Sequence, residues 1–505
     1  MVLGPPVALA VGEGLFDAVR TALHETGAVG VTVRQLARRL EDSPGRVEVA
    51  LDHLAARGDV LCMGRGLWVL RDYERLHGRA DFVAPEAFVE RFEREDGVAL
   101  GVYDGPITFR SNETLPVHRW WPYVQGFSAE FVRGVLHGHA SGVGTTVLDP
   151  FAGSGTTLVE ARRAGARALG TELLAPAVLA ARVKTKFELD PDALDRAAAR
   201  LIRSAERNRP GALPFLRESK RQFTPRNLAD LTRLRDALPP EGSDVADALR
   251  LAFGRILIPS SLLHRSPCLG YSRRPPTDGP GVFERFRAAV KEMAADLHAL
   301  SEDRRTWGPP ASIVRQDARN GRWPAESVDL AVTSPPYVNG MDYVMNYKVD
   351  LAWLGDARSY HDLAALRRAE VACDNLPRTE TAAYLGTSTA PDPWLLEILP
   401  RIRENVQRKG SYRRDDMHGV VHRYFADLVP VLDRVARALK PRGRFVVVVG
   451  DSLLAGVYVP GDLILARIAS HLGFSIESVE VARRRRSGQR RSFELRESVV
   501  TLARP

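Results

Sequence analysis

The chain has 505 residues, 45% of them apolar, and a formal net charge of +9; that length exceeds one compact core and predicts roughly two to four domains or insertions. Three widely spaced cysteines (Cys62, Cys268, Cys373) fit neither a disulfide framework nor a zinc site, so a reducing cytoplasm and no metal are expected. No segment reads as a membrane span or a signal peptide, and the basic balance favours a polyanionic partner or reflects arginine richness throughout.

Helical periodicity begins at Leu15 to Glu25. Thr32 is placed to cap Val33 to Leu40, and Ser43-Pro44 opens a third helix, Gly45 to Arg57, with Val47, Leu51 and Leu54 on one face. Asp59 to Met63 and Leu67 to Leu70 flank Gly64-Arg65-Gly66, a hairpin signal. Three helices and a hairpin within residues 1–75 resemble a winged helix. That arrangement would set Arg46 and Arg57 near phosphates and Arg65 at a wing tip. The same arrangement also serves protein docking, and Glu48 and Asp52 on the third helix would repel phosphate. Residues 76–113 read as a linker holding a helix and short strands.

The run Val147-Leu148-Asp149-Pro150-Phe151-Ala152-Gly153-Ser154-Gly155-Thr156-Thr157 reads as a strand, a glycine-rich turn and the start of a helix, Leu158 to Ala164. Glycines let backbone approach a ligand, and a helix start offers free N–H groups. The spacing is not that of a nucleoside-triphosphate loop. Ala168-Leu169-Gly170-Thr171-Glu172 follows roughly 20 residues on, the offset at which a carboxylate meets a ribose. Glu172 is therefore a candidate acceptor for two ribose hydroxyls. Leu173 to Phe187 reads as the next helix.

Residues 190–308 form a helical insertion, with helices at Pro191 to Arg207, Pro225 to Ala237, Ser243 to Leu257 and Phe283 to Glu302. Between the last two, Arg265, Tyr271, Arg273 and Arg274 could hold phosphate and stack on a base, or sit on a solvated loop.

The strand Val328-Asp329-Leu330-Ala331-Val332 then leads into Thr333-Ser334-Pro335-Pro336-Tyr337. A loop at the carboxyl end of a buried parallel strand is where open α/β sheets bind ligands. Two prolines stiffen it and leave carbonyls free to accept. With a hydroxyl and an aromatic ring beside them, such a corner suits an exocyclic amino group on a flat heterocycle. Residues 357–423 form a second insertion, with Arg401, Arg403, Arg408, Arg413 and Arg414 close in sequence. Either insertion is a candidate reader of a target sequence. Tyr424 to Leu439 reads as an amphipathic helix, Lys440-Pro441-Arg442-Gly443 as a turn, Arg444 to Gly450 as a buried strand and Asp462 to Leu472 as a helix. Ser475 to Ala482 and Glu494 to Leu502 flank a tip holding six arginines in nine residues, among them Arg484, Arg485, Arg486 and Arg490. That density predicts phosphate contact.

The motif Asp-Pro-Phe-Ala-Gly-Ser-Gly-Thr-Thr, followed by Thr-Ser-Pro-Pro-Tyr, resembles the S-adenosylmethionine-dependent amino-methyltransferases of DNA, the cytosine-N4 branch in particular. The likeness covers about 115–190, 310–356 and 424–505, and residues 114–189, 309–356 and 424–505 are taken as three parts of one methyltransferase domain. It implies an α/β fold: a doubly wound, mostly parallel Rossmann-like sheet with a terminal antiparallel hairpin. His118-Arg119-Trp120-Trp121-Pro122-Tyr123-Val124-Gln125-Gly126-Phe127 resembles the segment that closes over the cofactor's methionine end. Val314-Arg315-Gln316-Asp317-Ala318 resembles the loop whose Asp meets the adenine amino group. The implied cofactor is S-adenosyl-L-methionine. The implied cofactor residues are Tyr123, Phe127, Asp149, Phe151, Ala152, Gly153, Ser154, Gly155, Thr156, Glu172, Leu173, Asp317, Ala318 and Ser334. The implied catalytic corner is Ser334, Pro335, Pro336 and Tyr337. Hydrogen bonds from the amine to Ser334 Oγ and the Pro335 carbonyl would aim its lone pair at the methyl, while Tyr337 stacks on a flipped base. The implied partners are double-stranded DNA and a companion restriction endonuclease for the same site. Cys268 follows a proline, as the nucleophile of cytosine-C5 enzymes does, but lies outside the loop where that chemistry needs it. Adenine-N6 transfer, or a non-catalytic DNA-binding regulator, remains the alternative.

Overall fold

A computed structural model describes residues 13–26, 31–57, 59–63, 67–70, 85–123, 126–139, 141–265, 268–272, 279–300, 307–338, 342–371, 377–387, 390–409, 414–486 and 493–505. Its centre is an eight-stranded sheet. In chain order the strands are β1 (Leu100–Val102), β2 (Thr146–Asp149), β3 (Arg167–Glu172), β4 (Ser312–Arg315), β5 (Val328–Thr333), β6 (Leu439–Gly450), β7 (Ser475–Arg486) and β8 (Glu494–Ala503). Across the sheet they run β1-β7-β8-β6-β5-β2-β3-β4. Strands β6, β5, β2, β3 and β4 are mutually parallel, and β8 is antiparallel to both β6 and β7.

The chain winds outward from β2 through β3 to β4, then returns to lay β5 against β2 and winds the other way. The order therefore reverses between β2 and β5, which opens a crevice at their carboxyl ends. Alternation along the strands covers both faces. Leu330, Val332, Val446 and Val448 pack with Phe131, Leu136 and Leu158 from helices Ala129–Gly138 and Thr156–Arg163. Ala331, Phe445, Val447 and Val449 pack with Tyr424, Leu428, Ile464 and Ile468 from helices Met417–Ala438 and Gly461–His471. The fold is α/β and doubly wound, with a Rossmann-like sheet and a terminal antiparallel hairpin.

Several sequence expectations shift. Residues 85–102, read as linker, belong to the sheet: helix Pro85–Asp96 buries Phe88 and Phe92 against Trp394 and Tyr458, and β1 pairs with β7. Lys440–Gly443 is a local excursion within β6, between the pairs Val328↔Leu439 and Leu330↔Arg444, with Arg442 at φ 65°. Strand β7 runs on to Arg486, so four arginines expected at the tip pair in the ladder with β8. A hairpin that the sequence expectations lack, Ser452–Leu454 with Val457–Val459, follows β6.

The helices of residues 191–300 share one core with Trp120, Tyr347, Leu351 and Trp353, so this segment is packed onto the helices that follow the diproline corner. The second insertion is also integral: Trp394, Leu395, Ile398 and Ile402 join the core beneath β6. Near the N-terminus, helices Glu13–Thr26, Val33–Leu40 and Pro44–Ala56 and a three-stranded sheet enclose a separate core of Val19, Leu36, Val47, Leu51 and Trp68. Thr32 and Gln35 form a capping box there, and Ser43 accepts the Arg46 N–H.

Candidate active site

The strand order brings the two motifs together. Leu330 pairs with Val147 and Ala331 with Leu148, so Asp149 and Thr333 end their strands side by side. The Thr333 hydroxyl donates to Asp149 Oδ1 at 2.6 Å, and the Phe151 N–H donates to the same oxygen at 3.0 Å. Burial pushes the Asp149 carboxyl up to about 6 against these hydrogen bonds. Glu172, at the end of β3, accepts the Gly153 N–H at 3.0 Å and the Leu174 N–H at 2.8 Å. Burial raises it to about 7; those N–H groups oppose the rise and the Asp149 charge adds to it.

These residues line a cavity of about 860 Å³, open mouth included. Tyr123, Phe127, Asp149, Phe151, Ala152, Gly153, Ser154, Thr156, Glu172, Leu173, Asp317, Ala318, Ser334 and Pro336 all face it. Sequence reasoning missed Gly126, Pro150, Leu174, Gln316, Tyr343, Ala369, Glu370 and Val371. Glu370 ends helix Tyr360–Ala369 and accepts the Val344 N–H at 2.7 Å, which seats Tyr343 in the wall. No motif marks it; only tertiary packing brings it here.

The glycine turn is bare for a reason. A Cβ at Gly153 would stand 2.9 Å from the Tyr123 ring, and φ there is +50°. Gly155 serves a different contact from the one expected. It does not line the cavity; φ is +86° and a Cβ would stand 2.8 Å from Ala181 Cβ, so it admits helix Ala175–Lys184. The segment before β2 is tied down from below: Trp120 Nε1 donates to Asp296 at 2.8 Å. Lys184, buried beneath the turn, donates to the Trp121 carbonyl at 2.9 Å and to Ser154 Oγ at 3.2 Å.

At the diproline corner, Ser334 and Pro336 face the cavity whereas Pro335 is buried outside it. The Tyr337 ring also lies outside the lining: its hydroxyl donates to Glu497 Oε1 at 2.5 Å and its ring edge lies against Gly450. Asp317 lines the cavity while its carboxylate receives the Arg319 N–H at 2.9 Å and the Arg319 guanidinium.

The basic candidates divide. Arg265 is corrected: it turns inward, pairs with buried Asp350, donates to the Asn346 carbonyl at 3.1 Å and lies 4.2 Å over the Tyr347 ring. Tyr271 is exposed on the adjoining hairpin. Arg46 pairs with Asp42 at 3.5 Å. Arg484 and Arg486 are exposed along β7, whereas Arg485 folds back to donate to the Asp451 carbonyl at 2.5 Å. Arg65, Arg273, Arg274 and Arg490 lie outside the described residues. Arg414 is buried against Asp416, not part of a free basic cluster. Exposed Cys268 is not in the cavity wall.

The residues present fit the implied cofactor. Carboxylates line the cavity at Asp149, Glu172, Asp317 and Glu370, with no Lys, Arg or His among the described lining residues, which suits a cationic ligand. A family model of DNA methylases of the N6/N4 type matches residues 127–181, which contain the glycine turn and Glu172. The chain is similar to the Type II methyltransferase M.BsoBI of Geobacillus stearothermophilus, 22% identical over 449 residues, 79% of this chain and 88% of that protein. It is also similar to the Type II methyltransferase M.AvaI of Nostoc sp. (strain PCC 7120), 24% identical over 405 residues, 74% of this chain and 82% of that protein. A solved geranyl diphosphate methyltransferase aligns over 82% of this chain and 93% of its own at 10% identity, with a TM-score of 0.28. Site and relatives point to one class that the chain resembles, the S-adenosylmethionine-dependent DNA methyltransferases of the N4/N6 type. Among the described residues no helix is long and apolar enough to cross a membrane.

Proposed function

We propose that the chain transfers a methyl group to the exocyclic N4 amine of a cytosine flipped out of duplex DNA. The observation that supports this most is that Ser334 and Pro336 share one cavity with Asp149, Gly153 and Glu172. The bound cofactor supplies an electrophilic methyl on a sulfonium. In this reading Glu172 accepts the ribose hydroxyls, Asp317 accepts the adenine amine, and Tyr123 and Phe127 close over the methionine end. Phe151, Ala152, Leu173 and Ala318 give apolar wall, and the helix start at Thr156 stands beneath the turn.

Ser334 Oγ accepts from the target N–H₂. That draws the nitrogen lone pair out of conjugation and aims it along the transfer axis, so positioning and electrostatics carry the acceleration. When bound, the donor would yield its methyl to the amine that Ser334 aims, with the C–S electron pair left on sulfur and one amine proton passed to water. Serine at the head of the corner resembles the cytosine-N4 branch, where the adenine-N6 branch usually has Asp or Asn, and this resemblance supports cytosine; the stronger acceptors would hold the amine differently. Arg46, Tyr271, Arg484 and Arg486 are the proposed DNA contacts on the described surface. A companion nuclease of matching specificity and a cytoplasmic setting accompany this reading, in line with Type II relatives.

DNA from cells expressing the protein, digested to nucleosides and analysed by mass spectrometry, should contain N4-methylcytosine, lost in Ser334→Ala. N6-methyladenine alone would replace the base assignment. Neither product, together with tight DNA binding, would favour a non-catalytic regulator.

A further inference from the structure

Tyr337 and Glu497 are 160 residues apart in sequence, yet the phenol donates to the Glu497 carboxylate at 2.5 Å. The sheet register explains the meeting. Gly450 ends β6 opposite Glu497 of β8, which in turn lies opposite Arg483 of β7. The missing side chain at Gly450 leaves room: a Cβ there would stand 3.0 Å from Tyr337 Cε2 and 3.4 Å from Arg485 Nη2. Glu497 is buried, and its other oxygen takes the Arg483 guanidinium. Ser334, three residues before Tyr337 at the same corner, lies near the phenol and eases the proton affinity that burial and Glu497 raise.

We propose that Glu497 is a positioning residue that fixes the direction of a hydrogen-bond relay, Ser334 to Tyr337 to Glu497, and so leaves Ser334 Oγ as an acceptor toward the substrate amine. The argument is one of donor and acceptor inventory. An ionised carboxylate accepts only. The single Tyr337 hydrogen is therefore committed to Glu497, and the phenolic oxygen offers only lone pairs to Ser334. The serine hydrogen turns toward those lone pairs, and its own lone pairs turn toward the cavity, where an N–H₂ must be received. Without Glu497 the tyrosine can donate to Ser334 instead and occupy the lone pair that the amine needs. Each donor in such a chain also strengthens the next.

The inference rests on the proposed transfer reaction, and the test separates the two. Labelled S-adenosylmethionine and mixed duplex DNA are used with wild type, Tyr337→Phe, Glu497→Ala, Glu497→Gln and the double variant Tyr337→Phe/Glu497→Ala. Cofactor affinity is measured by calorimetry on each. Tyr337→Phe keeps the ring and removes only the hydroxyl. It and Glu497→Ala should each lower kcat about tenfold, the equivalent of one directed hydrogen bond. KM for DNA and cofactor affinity should stay within about twofold of wild type, since neither group is asked to bind cofactor. The double variant should be no slower than the slower single variant. Glu497→Gln, which keeps an acceptor for the phenol, should recover part of the rate.

Multiplicative losses in the double variant, or wild-type kcat in Tyr337→Phe, would overturn the relay while leaving the methyltransferase reading intact. Should Glu497→Ala fail to fold, Tyr337→Phe and Glu497→Gln still decide the matter. No transfer by wild type would overturn the reading and the relay together.

Discussion

Glu172 links the chemistry of the cavity to the stability of the fold. Its carboxyl stands at about 7 in place of 4.5 because it is buried beside Asp149. Such a displacement corresponds to about 3 kcal/mol, an upper bound because one edge of the group faces the open cavity. The sign follows from proton linkage. Between the unfolded and folded values the native protein holds a proton that the unfolded chain has released, so stability falls as pH rises from 4.5 through 7 and levels off above. Urea denaturation at pH 5 and pH 8 should show this loss in wild type, and the loss should shrink by about 1–3 kcal/mol in Glu172→Gln. The amide in that variant presents an N–H₂ toward one of the two N–H donors now bound, but that cost is the same at both pH values and cancels. A cationic ligand favours the ionised carboxylate. Calorimetry at pH 6.5 in buffers of different ionisation heat should therefore show proton release on S-adenosylmethionine binding, reduced in Glu172→Gln. An identical pH dependence in wild type and variant, with no proton release, would refute the reasoning.

Gly155→Ala should cost about 2–4 kcal/mol in urea denaturation, because φ is +86° and the new Cβ meets Ala181 at 2.8 Å; a loss under about 0.5 kcal/mol would contradict the contact. Arg265→Ala should cost about 3–5 kcal/mol, since it strands the buried Asp350 carboxylate. A surface DNA contact at Arg265 would instead leave stability within about 0.5 kcal/mol and weaken binding.

The core of the site was legible because it is local. Asp149, Gly153 and Thr156, and Ser334 and Pro336, stand at or just after a strand end, so motif and wall coincide there, whereas Gly155, Pro335 and Tyr337 lie outside the wall. Glu172 was legible from its offset alone. Glu370 and Tyr343 were not, because they reach the wall through packing of a segment with no motif. Arg265 was misread for a related reason: sequence shows a charge but not its direction, and the partner Asp350 lies 85 residues away. The 452–459 hairpin carried little signal: its two-residue turn has positive φ at both Ala455 and Gly456, and alanine is not a residue that marks such a turn.

The acidic lining has a bearing on turnover. Losing its methyl strips the cofactor of its sulfonium charge, so a chamber walled by carboxylates grips the spent molecule less than the fresh one. The wall thus favours exchange after each reaction, and the same charges that recruit the donor help to clear its remnant.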